Sequence, residues 1–139
     1  MDMINTVDFE YAEIAEAFPA CDPGVVPFGS RVLVQVRTPK QVTKGGILLP
    51  TEVRETEHWN TQVAKVLACG DLAFRNRSTM EKWPEGSWCE PGDFVRIPKY
   101  GGDRWSVGIK GEEDALVVIF NDLDLIGRIA DPLTVKAYL

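Results

Sequence analysis

A chain of 139 residues with 45% hydrophobic and 26% charged residues is sized for one domain and has average globular composition. Two independent cores and wholesale disorder are both excluded. A formal net charge of -6 argues against a phosphate-tracking surface, and no apolar run approaches the roughly 20 residues of a bilayer span. Nucleic acid and membrane are therefore not expected partners. With no basic and apolar leader at the start, a cytoplasmic protein is the expectation.

The charge is concentrated at one end. Residues 1–26 carry Asp2, Asp8, Glu10, Glu13, Glu16 and Asp22 without a single Lys or Arg, and the other 15 acids balance the 15 bases of the remaining chain. Residues 5–18 read as an amphipathic helix. Asn5 or Thr6 caps it, acids follow in the first turn, and Val7, Tyr11, Ile14 and Phe18 form one apolar stripe. The stripe suits packing on the chain's own body or on a neighbour first, and an outside partner second. Pro19 ends the helix, and residues 19–29 are a Pro- and Gly-rich linker.

Strand signals follow. Over Arg31–Arg37, Val32, Val34 and Val36 alternate with Leu33, Gln35 and Arg37, the period of a strand. Thr61–Ala68 is a second strand, ending at Gly70. Glu90-Pro91-Gly92-Asp93 is a turn, followed by the short strand Phe94–Pro98. The glycine-rich turn Lys99–Asp103 leads to Trp105–Ile109, then to Ala115–Phe120 and a last strand over Asp124–Ile129. Many short strands between turns indicate an all-β barrel or sandwich.

Two long connections interrupt the pattern. Thr38–Asn60 is charged and polar except for Gly45-Gly46-Ile47-Leu48-Leu49-Pro50, and Asp71–Glu90 contains Phe74, Trp83 and Trp88. Loops of this length inside a domain are often functional. The apolar triplet at 47–49 reads either as a flexible loop that meets a partner groove or as an ordinary strand.

No catalytic constellation stands out. Cys21, Cys69 and Cys89 are far apart, no CxxC pair exists, and His58 is the only histidine, so no structural zinc, other metal or cofactor is expected. A Cys–His nucleophile pair is outweighed by the ordinary role of an unpaired thiol as a small apolar residue. The acidic run Glu112-Glu113-Asp114 reads as a solvated turn.

From Val25 to Ile129 the chain resembles the GroES family of co-chaperonins. The resemblance rests on Val25-Val26-Pro27, Arg31-Val32-Leu33-Val34-Gln35, Gly45-Gly46 with Ile47-Leu48-Leu49, and Gln62–Gly70. It continues through Pro91-Gly92-Asp93 with Phe94–Ile97, Tyr100-Gly101, and Leu116–Ile119 followed by Asp124–Ile126. Phe28 and Ser30 depart from the family's pattern, and the link from Gly70 to Pro91 is a few residues longer than usual. The helix over 5–18 and the tail have no family counterpart, a divergence that would suit a virus-encoded protein acting in host cytoplasm.

The resemblance implies a GroES-like small β-barrel with a mobile loop and a roof hairpin, plus an N-terminal helical extension. It divides the chain into an acidic extension at 1–26, the barrel at 27–129 and a tail at 130–139. It implies a non-enzymatic co-chaperonin that caps a GroEL-type, ATP-dependent chaperonin as a ring, nominally a heptamer, and encloses an unfolded client protein. Gly45, Gly46, Ile47, Leu48, Leu49 and Pro50 would dock on the chaperonin. Val32, Val34, Leu125 and Ile126 would lie at the subunit contact, where the first strand of one copy meets the last strand of the next. Tyr100 would face the cavity. Phe74, Trp83 and Trp88 would pack between subunits or touch the client. The rival readings are a structural β-barrel of a viral particle with no chaperone role, and a substrate domain of a zinc-dependent dehydrogenase, for which the chain has neither dinucleotide domain nor ligand set.

Overall fold

The computed structural model describes residues 6–40 and 42–138. Its elements are β1 (Thr6–Val7), α1 (Ile14–Ala17), β2 (Arg31–Val36), α2 (Thr51–Asn60), β3 (Val63–Cys69), β4 (Phe94–Arg96), β5 (Asp103–Val107), β6 (Ala115–Asn121), a 3-10 turn at Asp122–Asp124, β7 (Gly127–Arg128) and β8 (Ala137–Tyr138). All strand pairings are antiparallel, and the fold is all-β.

Six strands form one sheet in the order β5-β6-β2-β3-β4-β7. Alternation along β2 aims Val32, Val34 and Val36 at one face, where they meet Ala64 and Val66 of β3, Val95, Leu116, Val118 and Phe120. A single sheet brings side chains from four strands into one cluster only by wrapping around it. The pairing of β2 with β3 slips between Leu33 and Val34, which pair with Ala68 and Val66. Leu67 is therefore a bulge, the device that bends a strand at a barrel wall.

The other face of β2 is also buried, which is unusual for a small barrel. Leu33, Gln35 and Arg37 are almost fully enclosed, because the two ends of the chain cross this face. Gln35 Nε2 donates to the Pro19 carbonyl at 2.8 Å. The Thr38 N–H donates to Ala17 O at 2.9 Å. Arg37 Nη1 donates to the carbonyls of Pro132 and Val135 at 2.9 and 2.7 Å. Pairing of Thr6 with Tyr138 and Val7 with Ala137 joins the two ends to each other. Phe9, Tyr11, Ala17, Phe18, Leu49 and Val63 make a second core there, with Val53, Phe94, Ile129, Leu133 and Val135 packed against it.

The helix expected over residues 5–18 is not formed; only Ile14–Ala17 is helical. Asn5 lies outside the described residues, and Thr6 belongs to β1. The reason is tertiary. In an extended chain Phe9 and Tyr11, two residues apart, share a side. Their rings sit 6.1 Å apart, edge-on, and the Arg37 guanidinium lies 6.0 and 5.4 Å from their centroids. Ile14, a member of the supposed stripe, is exposed.

The span 38–60 is likewise not all loop. Pro50 precedes a run free of Gly and Pro that becomes α2, with Glu52 in its first turn, as the helix dipole prefers. The link 71–90 forms a small hairpin closed by a bridge between Arg75 and Lys82.

Candidate functional site

The connection from β2 to α2 sets Gly45 and Gly46 beside exposed aliphatic side chains. Val42 and Leu48 form an antiparallel bridge. The Thr43 N–H donates to Ile47 O at 2.9 Å and the Gly46 N–H to Thr43 O at 3.0 Å. Thr43 Oγ1 accepts the Ile47 N–H at 3.1 Å. The result is a hairpin tip at 43–47. Gly46 has φ +87°, a left-handed conformation that favours glycine. Gly45 has an ordinary φ, and a Cβ there would meet Thr43 Oγ1 at an ordinary contact distance of 3.9 Å, so no steric demand holds it as glycine.

The hairpin divides the apolar triplet. Ile47 and Leu48 are 66% and 72% exposed, whereas Leu49 is 8% exposed and belongs to the second core. Pro50 is exposed and leads into α2. Two adjacent aliphatic side chains therefore face solvent on a tip whose base is anchored by the third.

The helix that follows the hairpin carries enclosed polar groups. Glu57 of α2 is buried, and burial pushes its carboxyl up to about 7 against the opposing pull of Arg37 and a hydrogen bond from Thr61. Burial pushes the neighbouring His58 down to about 4, despite the attraction of Glu113, so its imidazole is neutral at pH 7. Burial likewise raises the Tyr11 hydroxyl, which donates to Thr38 O at 2.7 Å. Arg54 pairs with Glu113 at 2.6 Å. Among the described residues no group of three His, Cys, Asp or Glu is placed to hold a metal ion, and no helix is long and apolar enough to cross a membrane.

The expected subunit-contact residues separate. Val32 and Val34 are fully buried in the chain's own core, and β2 already has β3 and β6 on its two edges. Within this chain neither its side chains nor its backbone is free. Leu125 is half-buried against the core, while Ile126 is exposed. Both line a cavity of about 250 Å³ with Trp88, Cys89, Val95 and Arg128. Exposed apolar side chains just before β2 are Val25, Val26 and Phe28, and those after β6 include Leu123 and Ile126. Burial favoured Val32 and Val34 for the core because they sit on the inner face of a central strand; the linker composition of 19–29 hid Val25, Val26 and Phe28.

The aromatic residues of the second long connection pack within the chain. Phe74 is buried in the main core, 5.6 Å from the Trp88 ring, and Trp83 stacks on Trp88 at 6.4 Å. Tyr100 is exposed, with the Lys99 ammonium 5.8 Å from its ring. The structure also brings together two thiols that 19 intervening residues concealed. Cys69 and Cys89 lie within hydrogen-bonding reach, and this contact lowers the Cys69 thiol while raising that of Cys89.

A protein family described as Chaperonin 10 Kd subunit matches residues 24–129. The chain is 34% identical over 103 residues to the Co-chaperonin GroES of Methylacidiphilum infernorum, covering 70% of this chain and 96% of that protein. It is 29% identical over 106 residues to the mitochondrial 10 kDa heat shock protein of Oryzias latipes, covering 76% and 94%. To the protein of the same name from Mus musculus it is 30% identical over 106 residues, covering 76% and 91%. Phe9, Tyr11, Ala17, Phe18, Leu133 and Val135, which supply much of the second core, lie outside the family match.

Proposed function

The chain belongs to the Chaperonin 10 Kd subunit family and has a co-chaperonin role, and from that premise we propose that it caps a GroEL-type chaperonin through the hairpin at 42–49. The observation that carries this reading is the outward placement of Ile47 and Leu48 beside Gly45 and Gly46. Leu49 serves as the hairpin's anchor, and Pro50 starts the helix that follows. Two aliphatic side chains contribute about 1.5–3 kcal/mol each when buried, so a single hairpin binds weakly. A ring that offers several at once binds through effective concentration and still releases when the chaperonin changes shape. Nucleotide chemistry belongs to the chaperonin; this chain acts as a non-enzymatic lid over an unfolded client, in the cytoplasm.

In this reading residues 27–129 are the barrel unit, and 1–26 and 130–139 are additions to it. The ring, a heptamer, is closed by head-to-tail contacts. Val25, Val26 and Phe28 of one copy are the exposed apolar group best suited to meet Leu123, Leu125 and Ile126 of the next. Tyr100 faces the enclosed cavity.

The test is size-exclusion chromatography of the protein with a GroEL-type chaperonin, with and without ATP, alongside native mass spectrometry of the protein alone. A nucleotide-dependent complex and a seven-subunit ring are expected. Failure to form any nucleotide-dependent complex with a chaperonin overturns the reading.

A further inference from the structure

We propose that the N-terminal segment 8–18 is a strap that positions the docking hairpin, so that Ile47 and Leu48 are presented already ordered. The inference rests on the docking role proposed above for the hairpin.

Contacts of several kinds converge on four residues of the connection that carries the hairpin: Thr38, Lys40, Lys44 and Leu49. The Lys44 N–H, at the hairpin tip, donates to Asp8 O at 2.7 Å. Lys40 Nζ donates to Glu10 O at 2.6 Å and is ion-paired with Glu16. That same Glu16 carboxylate accepts the Ala12 N–H at 2.8 Å, so the lysine is held by a segment that is itself folded. The Tyr11 hydroxyl and the Ala17 carbonyl bind the two sides of the Thr38 backbone. Leu49 packs in one cluster with Phe9, Tyr11 and Phe18. The connection is thus held before, at and after its exposed pair by residues 8–18, and the barrel itself supplies only Val63 to the buried part of that cluster.

The strap is in turn secured by the tail. β1 pairs with β8, and Arg37 ties the Pro132 and Val135 carbonyls to β2. The family match includes the hairpin but neither the strap nor the tail. The strap is therefore a device added to a shared docking element. Its effect on docking follows from entropy: a hairpin whose backbone is already held loses less freedom on binding, and the gain is repeated at every subunit of a ring.

The experiment compares wild type with Lys40→Met, Tyr11→Phe and Phe9→Ala. Lys40→Met removes the tie to Glu10 and Glu16, Tyr11→Phe removes only a hydroxyl, and Phe9→Ala hollows the shared cluster. Amide hydrogen exchange is followed separately in 42–49 and in β2 and β6, and binding to a GroEL-type chaperonin with ATP is followed by biolayer interferometry. The expected result is exchange about tenfold faster in 42–49 of Lys40→Met, with β2 and β6 unchanged, and weaker chaperonin binding. Because Lys40 is partly exposed and Tyr11→Phe keeps the ring that fills the cluster, these variants keep the test decisive if Phe9→Ala does not fold. Unchanged exchange in 42–49 overturns the strap. Faster exchange with undiminished chaperonin binding overturns its role in docking. If wild type itself fails to bind, the docking role of the hairpin falls, and the exchange data alone decide whether the strap orders it.

Discussion

Asp122, fully buried where β6 ends, accepts the backbone N–H of Phe74 at 2.6 Å across 48 residues of sequence. Its carboxylate also takes the Arg77 guanidinium and the Leu123 N–H. Phe74 has φ 63°, a left-handed conformation uncommon for a non-glycine residue. One acid thus fixes the start of the 71–90 connection to the sheet and aims the Phe74 ring into the core. Asp122→Ala leaves a buried N–H without an acceptor. It is expected to cost about 2–4 kcal/mol of stability, read from the urea midpoint, with Asp122→Asn costing less.

Gly70 allows β3 to pass against the segment before β2. A Cβ there would lie 2.1 Å from the Gly29 carbonyl oxygen and 3.2 Å from that of Arg31. These are backbone atoms already engaged, Gly29 O by the Leu72 N–H and Arg31 O by the Gly70 N–H itself. They cannot move aside as a flexible side chain does. Gly70→Ala is expected to cost upwards of about 3 kcal/mol or to abolish soluble expression. Wild-type thermal stability in that variant would show that the close approach is not required.

Strand periodicity made the barrel legible because its inner wall is built from alternation, as Val32, Val34 and Val36 demonstrate. The Gly45-Gly46-apolar signal located the exposed hairpin for a similar reason: its geometry is local. What sequence reading missed depends on distant partners. Arg37 reads as a surface residue until carbonyls 95 and 98 positions away enclose it. Phe9 pairs with Tyr11 in an extended segment, while the helical stripe drawn through Tyr11 and Ile14 misses Phe9 altogether. Charge obscured α2, since its glutamates look unsuited to burial, yet Glu57 is buried beside Arg37. Leu49 looked equivalent to Ile47 and Leu48 because the second core that claims it is made by the chain's ends.

The divided triplet makes a paired prediction. Leu48→Asp places a charge on an already exposed position, so stability should stay within about 0.5 kcal/mol of wild type while chaperonin binding is lost. Leu49→Asp places an unpaired charge in the second core and should cost several kcal/mol, on the order of 3–5. Urea unfolding and chaperonin co-elution measured on both variants distinguish the roles. Equal destabilisation by the two substitutions would mean that Leu48 is also core.

The three thiols differ enough to be ranked. Cys21 is raised mainly by burial, and Cys89 is raised by its hydrogen bond with Cys69 and by its burial. Cys69 is lowered, chiefly by that same hydrogen bond, and is half-exposed at a cavity it shares with Cys89 and Ser87. Alkylation proceeds through the thiolate, so iodoacetamide at about pH 8 should modify Cys69 first. Peptide mass spectrometry over a time course reads the order. Cys89→Ala removes the hydrogen bond and should slow the labelling of Cys69; faster labelling in that variant would show that Cys89 merely shields it.

Glu57 and His58, neighbours on α2, should make opposite contributions to the pH dependence of stability. Glu57 titrates at about 7 in the folded chain against 4.5 when free. Between those values the folded chain holds a proton that the unfolded chain has released, so stability falls as pH rises. His58 titrates at about 4 against 6.5 when free. There the unfolded chain holds the extra proton, and stability rises with pH. The charged groups facing Glu57 are Arg37 and Lys99, with the Tyr11 hydroxyl also close; those facing His58 are Arg54 and Glu113. Where the two windows overlap, from about pH 4.5 to 6.5, the slopes cancel. Glu57→Gln removes the falling limb and should leave stability rising through this range by up to roughly 3 kcal/mol. His58→Gln removes the rising limb and should leave a fall of similar size. Urea unfolding at half-unit steps of pH measures both, and variants that keep the wild-type profile would show that neither side chain is enclosed as described.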